Sequence, residues 1–358
     1  MGGRGNTHKR DQSDSQMPLR QSEIQASYDN QDSSMQFSSI RIESPTENSC
    51  INGDVNKTSS SLEKSTSSYR CRMEFFKTFV AFFCLVVSAF LNFFLLTVIH
   101  DIVPRKPLDD LVFFMIDQQR WAWAVGDVLS TVNAVVGFIV VLLHRERLVI
   151  LRRVFLLAAI LYGLRAIILG VTFLPPSFSN RDEVCQPQIN RTTIFNGMYA
   201  TEIATRFVTY VVTLGLTSGQ EQILCGDLMF SGHTVVLTIM YFVQLQYTPR
   251  GLVILRYIAA PITFLGIAAL VVSGGHYTMD VLIAYWLTSH VFWSYHQIFE
   301  LPRPQRAQAP LSRLWWFWMC YWFEADVPEG KLHNEWNWPF SKPRFMHNVF
   351  HCLNAKLS

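Results

Sequence analysis

The chain has 358 residues, of which 50% are hydrophobic, 14% aromatic and only 16% charged. Because soluble domains carry about 25% charged residues, this composition argues against a soluble globular enzyme. A formal net charge of +3 is too small to indicate nucleic-acid binding. The seven cysteines form no CxxC pair, which excludes a disulfide scaffold or a zinc ribbon as the organising principle.

The start of the chain differs from the rest. The first 69 residues include 20 Ser or Thr, 7 Lys or Arg and 9 Asp or Glu, without an apolar period. Such a segment cannot bury enough surface to offset the entropy that ordering would remove. We therefore predict a disordered cytosolic tail over 1–72, a catalytic membrane domain over 73–300, and an aromatic, basic cytosolic tail over 301–358.

Six apolar stretches predict membrane-spanning helices. The first, 75–99, has 25 residues. At 1.5 Å per residue it would be about 37 Å long, enough to cross a bilayer core of about 30 Å. The others are 121–143, 154–174, 234–247, 252–272 and 281–299. The apolar segment 203–224 is either a seventh span or a membrane-embedded loop. The predicted fold class is all-α, a polytopic membrane protein.

The distribution of charge predicts the orientation. Loop 144–153 holds four Arg and one Glu and should be cytosolic. Loop 100–120 holds three Lys or Arg and four Asp or Glu, so it is not basic and should lie on the opposite side of the membrane. Six spans put both termini in the cytosol and two histidines, His233 and His276, at the lumenal or outer ends of their helices. A seventh span would place Arg250 outside, against the charge rule, so we favour six.

Two segments at helix starts carry the candidate chemistry. Small residues precede His233 in one and His276 in the other, and Asp280 lies four residues after His276, on the same helix face. Helix N-termini favour anions such as phosphate. A carboxylate that fixes one imidazole nitrogen leaves the other free as base or nucleophile. The pattern predicts phosphoryl transfer, with simple helix capping as the alternative.

Three further residues are candidates for substrate binding. Asp227 either faces the substrate head group, orients His233 or caps a turn. Arg165, inside the third span, pairs with phosphate or with a carboxylate. Tyr277 is a candidate for contact with a quaternary ammonium group. Cys185 and Cys225 could face an oxidising lumen, but we expect no disulfide between them.

These segments resemble the motifs of the sphingomyelin synthase family, within the wider lipid phosphate phosphatase fold. Residues 225–237 resemble the family's third motif, CGDxxxSGHTxxL, and residues 276–285 resemble its fourth, HYTxDVxxAY. Residues 152–175 resemble the second motif, whereas 104–109 only partly match the first. The resemblance spans residues 73–345 and implies a lipid phosphate phosphatase-like core.

The resemblance implies an enzyme that moves phosphocholine from phosphatidylcholine to ceramide, giving sphingomyelin and diacylglycerol. It implies that His233, His276 and Asp280 are catalytic, at the lumenal or exoplasmic face of the Golgi or plasma membrane. No cofactor and no metal is expected. The partners are those four lipids and the bilayer, without nucleic acid, and a homo-oligomer is compatible with the sequence.

Other functions remain open at this point. A ceramide phosphoethanolamine synthase would use the same residues with another head group, and a lipid phosphate phosphatase would use water as acceptor. Residues 257–302 contain no Lys or Arg, so the Arg that such phosphatases carry before their last His is absent. A transporter or scramblase would have no need of two His and an Asp at helix starts. The motifs are consistent with two pathways. The head group either passes through a phospho-His intermediate or is transferred directly from one lipid to the other.

Overall fold

The computed structural model describes residues 54–178, 181–189, 197–213, 222–226 and 228–337. In this part of the chain every regular element is a helix. Two isolated β-bridges, between His144 and Trp336 and between Cys185 and Ile223, are the β pairing among the described residues. The α-helices are α1 (Asp54–Ile102), α2 (Leu111–Met115), α3 (Arg120–Leu143), α4 (Arg147–Val171), α5 (Arg181–Val184), α6 (Gly197–Val212), α7 (Gly232–Tyr247), α8 (Val253–Val272), α9 (Thr278–Glu300), α10 (Arg303–Gln308) and α11 (Phe317–Glu324).

Four of the described helices are long and apolar enough to cross a membrane. They are the part of α1 from Arg72, α3, α4, and α8 extended back to Arg250. The apolar side chains of α1 face outward, with Phe79 66% and Phe83 58% exposed, as expected of a helix that contacts lipid. The two remaining predicted spans coincide with α7, which has 16 residues, and α9, which has 23.

Glycines allow α3 to approach its neighbours closely. A Cβ on Gly126 would lie 3.0 Å from a methyl group of Leu270 on α8, and one on Gly137 would lie 2.7 Å from the sulfur of Met240 on α7. Small residues at helix contacts are typical of membrane proteins, where packing rather than the hydrophobic effect drives helix association. Buried side chains of α3, α4, α7 and α9 share one apolar core, which α11 also joins.

A buried polar cluster holds α11 against the core. The Arg153 guanidinium donates to both carboxylate oxygens of Glu324 at 2.8 Å, and the Tyr295 hydroxyl donates to the same carboxylate at 2.6 Å. Tyr247 and His296 extend this cluster, with 2.7 Å between the hydroxyl and Nε2. We call these five residues the Arg153 cluster. It lies at the ends of α7 and α9 opposite to His233 and Asp280.

Helix α6 packs beside the last part of α1. Its Arg206 forms an ion pair with Asp101 at 3.1 Å, and the rings of Tyr210 and Phe93 are 6.0 Å apart. The segment 203–224 therefore includes a helix that lies against the end of α1, and residues 214–221 fall outside the described part. The sequence predicted no structure before residue 73, whereas α1 begins at Asp54. The predicted tail over 1–53 lies outside the described residues.

Candidate active site

One small cavity contains both histidines that the motifs single out. It has a volume of about 50 Å³, and its lining includes His233, His276, Tyr210, Trp123 and Phe178. Ligand pockets have volumes of roughly 300–1,000 Å³, so this space would have to widen to admit a lipid head group. The described lining includes no Lys, Arg, Asp or Glu. Two imidazoles in a neutral wall therefore define the chemistry of the cavity.

His233 stands in the first turn of α7 beside a carboxylate from another helix. Ser231 caps α7, and its hydroxyl accepts from the Thr234 amide at 3.3 Å, so the helix starts with its free N–H groups close to His233. His233 Nε2 lies 3.3 Å from Oδ1 of Asp127 on α3. Asp127 was not singled out in the sequence, although a carboxylate within an apolar span is itself a signal of function. The pairing leaves His233 Nδ1 for proton transfer.

His276 lies between α8 and α9, with Asp280 one turn later. Its Nδ1 is 3.9 Å from Asp280 Oδ2, which is an ion-pair distance and longer than a hydrogen bond. His276 Nδ1 has no hydrogen-bond partner among the described residues. Catalytic hydrogen bonds are often long in a ligand-free site and shorten when substrate binds. Asp280 is therefore near enough to orient His276 after a small movement of either side chain.

Asp280 also holds two loops at the cavity. Its Oδ2 accepts from the Tyr277 amide at 3.0 Å, and its Oδ1 accepts from the Met229 amide at 2.9 Å. Met229 has φ 97°, a left-handed conformation that a residue with a side chain rarely adopts. The carboxylate thus ties this strained turn, which leads into α7, to the start of α9. It fixes the positions of both histidines relative to one another.

The surroundings keep His276 neutral. Burial lowers its pKa to about 3, and the neighbouring His233 imidazole and the Arg165 guanidinium act in the same direction. A neutral imidazole retains the lone pair that attack on phosphorus or proton abstraction requires.

The backbone just before His276 is constrained. Gly274 has φ 74°, and a Cβ there would lie 2.5 Å from Gln118. Ser177 Oγ donates to the Gly274 carbonyl at 2.5 Å.

Arg165 lies behind the cavity rather than in its lining. Its Nε donates to the Phe230 carbonyl at 2.7 Å, and its Nη1 donates to Asn92 Oδ1 at 2.9 Å. A Cβ on Gly232 would lie 3.6 Å from the centre of the guanidinium, which places this charge next to the start of α7. Arg165 thus anchors the turn before His233 and adds positive charge near both histidines.

A disulfide joins Cys185 to Cys225, so the prediction of no bond between them was wrong. Sequence separation gives no sign of this pairing, because only the tertiary fold brings residue 185 beside the loop before α7. Cys225 lines the cavity, and its amide donates to Nδ1 of His100 on α1 at 2.9 Å. The disulfide links the segment around Cys185 to the loop before α7 and so holds one wall of the cavity in place.

The other two predicted contact residues differ in where they lie. Tyr277 does not line the cavity: its hydroxyl accepts from the Leu108 amide at 2.9 Å and donates to the Pro175 carbonyl at 3.2 Å. Tyr277 therefore joins the segment before α2 and the segment after α4 to the start of α9. Asp227 lies outside the described residues, as does Asn190, which begins the glycosylation sequon Asn190-Arg191-Thr192 of the sequence. The described residues include no cluster of His, Cys, Asp or Glu that could hold a metal ion.

Comparison with known proteins defines the class first. Residues 224–297, which include both histidines and Asp280, match the model of the PAP2 superfamily C-terminal family. This match identifies residues 224–297 as a PAP2-type domain, in agreement with the helical fold and the paired imidazoles.

Curated relatives then give the family. The chain is 76% identical to phosphatidylcholine:ceramide cholinephosphotransferase 2 of Caenorhabditis elegans over 284 residues, 79% of this chain and 84% of the relative. It is 33% identical to the mouse enzyme 2, covering 76% and 73% of the two chains, and 30% identical to the human enzyme 1, covering 76% and 65%. The chain belongs to the phosphatidylcholine:ceramide cholinephosphotransferases, the sphingomyelin synthase family, which confirms the resemblance of its motifs.

Proposed function

We propose that this protein transfers phosphocholine from phosphatidylcholine to the primary hydroxyl of ceramide, giving sphingomyelin and diacylglycerol. The observation that carries this function is the cavity in which His233 and His276 meet, in a chain 76% identical to a cholinephosphotransferase. Two imidazoles and their carboxylates are the groups that acid–base and nucleophilic catalysis of phosphoryl transfer requires.

In the first half of the proposed reaction, His276 attacks the phosphorus of phosphatidylcholine through Nε2. The bond from phosphorus to the diacylglycerol oxygen breaks, and His233 gives that oxygen a proton. Asp280 stabilises the positive charge that forms on His276, since its Oδ2 faces Nδ1 at 3.9 Å. A phosphocholine group on His276 remains.

In the second half, ceramide replaces diacylglycerol. His233 takes the proton of the ceramide hydroxyl, the hydroxyl oxygen attacks phosphorus, and the bond from phosphorus to His276 breaks. Asp127, 3.3 Å from His233 Nε2, holds that imidazole in one orientation through both steps. Direct transfer is the second candidate pathway, with His276 acting only as the base.

The proposed membrane topology has six spans: α1 from Arg72, α3, α4, α7, α8 and α9. Among the proposed spans, the cavity lining comes from the start of α3 (Trp123), the start of α7 (His233) and the end of α8 (Leu270), as expected when successive spans alternate in direction. The disulfide between Cys185 and Cys225 supports a lumenal or exoplasmic site, because disulfides persist in oxidising compartments. Both termini would then be cytosolic.

Other parts of this proposal concern residues around the cavity and the tails. Arg165 strengthens binding of the phosphate charge through its field, because its hydrogen bonds to Phe230 and Asn92 keep it beside the turn. Asp227 is proposed to face the head group. Tyr277 is proposed to position the start of α9. The protein is proposed to reside in the Golgi or plasma membrane, with residues 1–72 and 301–358 as its cytosolic tails.

A head-group transfer assay tests the function. The purified full-length chain in detergent receives ceramide and either phosphatidylcholine or phosphatidylethanolamine, and mass spectrometry identifies every lipid product. Sphingomyelin from phosphatidylcholine is the expected product, without release of free phosphocholine or phosphate. Release of phosphocholine to water in place of transfer would identify a hydrolase of the phospholipase C type and contradict the proposal, and release of inorganic phosphate from added phosphatidic acid would identify a lipid phosphate phosphatase.

Variants connect the activity to the site. His233→Ala and His276→Ala should abolish transfer, whereas His290→Ala, which alters an exposed histidine on the same helix as Asp280, should retain it. Near-normal transfer in either of the first two variants would contradict the assignment. Acid hydrolyses a phosphorus–nitrogen bond to histidine. The enzyme incubated with choline-labelled phosphatidylcholine should therefore be denatured and analysed under alkaline conditions, with His276→Ala as control.

A further inference from the structure

Two aromatic rings form one wall of the cavity that holds the histidines. The rings of Trp123 and Phe178 stack with their centroids 5.0 Å apart and their planes 5° from parallel. Both side chains line the cavity together with His233 and His276. We call Trp123 and Phe178 the aromatic wall.

The aromatic wall is fixed from two directions. Phe178 packs in a buried cluster with Cys185 and Cys225, so the disulfide supports its ring from behind. Trp123 lies on α3, one helical turn before Asp127, and residues four apart share a helix face. The helix that supplies the carboxylate for His233 therefore also presents the indole about one turn from the reacting centre. When the phosphorus of the substrate lies at the histidines, the ammonium end of the head group would lie near this wall.

The chemistry of the wall suits a cation without hydrogen-bond donors. Aromatic faces attract cations, and indole does so most strongly. We infer that the Trp123 indole, held in place by the stacked Phe178 ring, binds the trimethylammonium group of phosphocholine on its other face and so determines head-group specificity. This inference rests on the proposed function, because it concerns the substrate of the same site.

The wall should favour phosphocholine over phosphoethanolamine for a physical reason. A trimethylammonium group has no N–H, so an aromatic surface stabilises it without leaving a donor unpaired. A primary ammonium has three donors, and burying them against aromatic rings forfeits their hydrogen bonds to water. The selection therefore arises from the unfavourable burial of the wrong head group as well as from attraction to the right one.

The test measures the preference for one donor lipid over the other. The full-length protein is purified as wild type and as the variants Trp123→Leu, Trp123→Phe and Phe178→Leu. For each protein, kcat/KM is measured with phosphatidylcholine and with phosphatidylethanolamine as donor, and the ratio of the two values is compared. Trp123→Leu should lower the ratio of the two values about tenfold, and Phe178→Leu should lower it in the same direction. Trp123→Phe keeps an aromatic face and should retain most of the preference. Trp121→Leu, a change at an exposed tryptophan two residues away, is the matched control and should leave the ratio unchanged.

Two outcomes would overturn the inference. If Trp123→Leu slows transfer from both donors equally, Trp123 only packs the cavity, and if it slows transfer from neither donor, the wall does not contact the ammonium group; in both cases the ratio is unchanged. Either result leaves the proposed function intact as long as wild type makes sphingomyelin. Failure of wild type to transfer from either donor would instead contradict the proposed function.

A second measurement avoids any dependence on the folding of the leucine variants. Wild type and Trp123→Phe are made with fluorinated tryptophan, which weakens the negative face of the indole while almost keeping its size. The ratio for wild type should fall with each added fluorine, and Trp123→Phe should be insensitive to fluorination. Insensitivity of wild type as well would overturn the inference.

Discussion

The Asp127 carboxylate lies 3.3 Å from His233 Nε2, although the two residues belong to different helices and are more than a hundred positions apart. The contact requires α3 and α7 to pack with their starts side by side. Each histidine therefore has one carboxylate within ion-pair distance, Asp127 for His233 and Asp280 for His276. In the proposed mechanism each carboxylate fixes the tautomer of its imidazole and supports its positive charge.

The first prediction concerns Asp127. Asp127→Asn removes the charge that supports protonated His233 and should lower kcat about 100-fold, the size expected for loss of acid–base assistance. The fold should survive because an amide occupies nearly the same volume. Asp117→Asn, which changes an exposed carboxylate shortly before α3, serves as control. An unaltered rate in Asp127→Asn would mean that the contact has no part in proton transfer.

The second prediction concerns Asp280 as the link between two loops. Asparagine keeps one acceptor oxygen, whereas the carboxylate now accepts from both Met229 and Tyr277. Loss of one buried acceptor should lower the free energy of unfolding by about 1–3 kcal/mol, in addition to abolishing transfer. Denaturation by SDS, followed by tryptophan fluorescence, measures the stability. Asp109→Asn alters an exposed carboxylate and should change neither property; equal stability of wild type and Asp280→Asn would disprove the linking role.

The third prediction concerns pH. Because burial holds the pKa of His276 at about 3, the reactive neutral form should persist well below the ordinary value of 6.5. The acid limb of kcat/KM against pH should accordingly lie far below pH 6.5. Removing the positive charge of Arg165 makes protonation of His276 easier, so Arg165→Gln should move that limb to higher pH. An acid limb near pH 6.5 in wild type would argue that His276 is not buried during catalysis.

The fourth prediction concerns the Arg153 cluster. Glu324→Gln leaves Arg153 buried without its counter-charge and should lower the free energy of unfolding by about 3–5 kcal/mol. The exposed pair of Arg303 and Glu329, 3.4 Å apart, is the control, and Glu329→Gln should cost less than about 1 kcal/mol. SDS denaturation curves of the three chains compare these values. Equal losses in both variants would contradict a special role for the buried pair.

The same cluster predicts how stability depends on pH. Burial acts to raise the pKa of Glu324, but the Arg153 guanidinium outweighs it and lowers the pKa from 4.5 to about 2. A depressed carboxyl pKa stabilises the fold fully above pH 4.5, and this contribution is lost as the pH falls toward 2. Glu324→Gln should therefore flatten the stability curve between those two pH values. A slope identical to that of wild type would rule out Glu324 as its source.

The fifth prediction concerns the disulfide. Replacing Cys185 and Cys225 together by serine should lower stability by about 2–4 kcal/mol, because the closed loop no longer restricts the unfolded chain. Mass spectrometry of protein alkylated without reduction should detect the bond in wild type. Cys84→Ser, which alters a free cysteine, should leave stability unchanged. Free thiols at 185 and 225 in protein isolated from membranes would contradict a site that faces the oxidising side.

Much of the architecture could be predicted from local pattern. The apolar stretches at 121–143 and 252–272 became α3 and α8 almost to the residue, because length and composition alone determine where a helix can lie in a bilayer. The motifs also indicated His233 and His276, since small residues before a helix start leave its N–H groups free. Neither the extension of α1 back to Asp54 nor the disulfide was visible in such a pattern.

The sequence by itself determined the class of protein, the helices and the two imidazoles, because hydropathy and motif spacing are properties of neighbouring residues. Only the tertiary structure decided that Asp127 meets His233, that Cys185 bonds to Cys225, and that Trp123 and Phe178 share the cavity with the histidines. Those contacts join residues from separate helices and loops. Which of many polar and aromatic side chains come together depends on how the helices pack, and no local pattern encodes that packing.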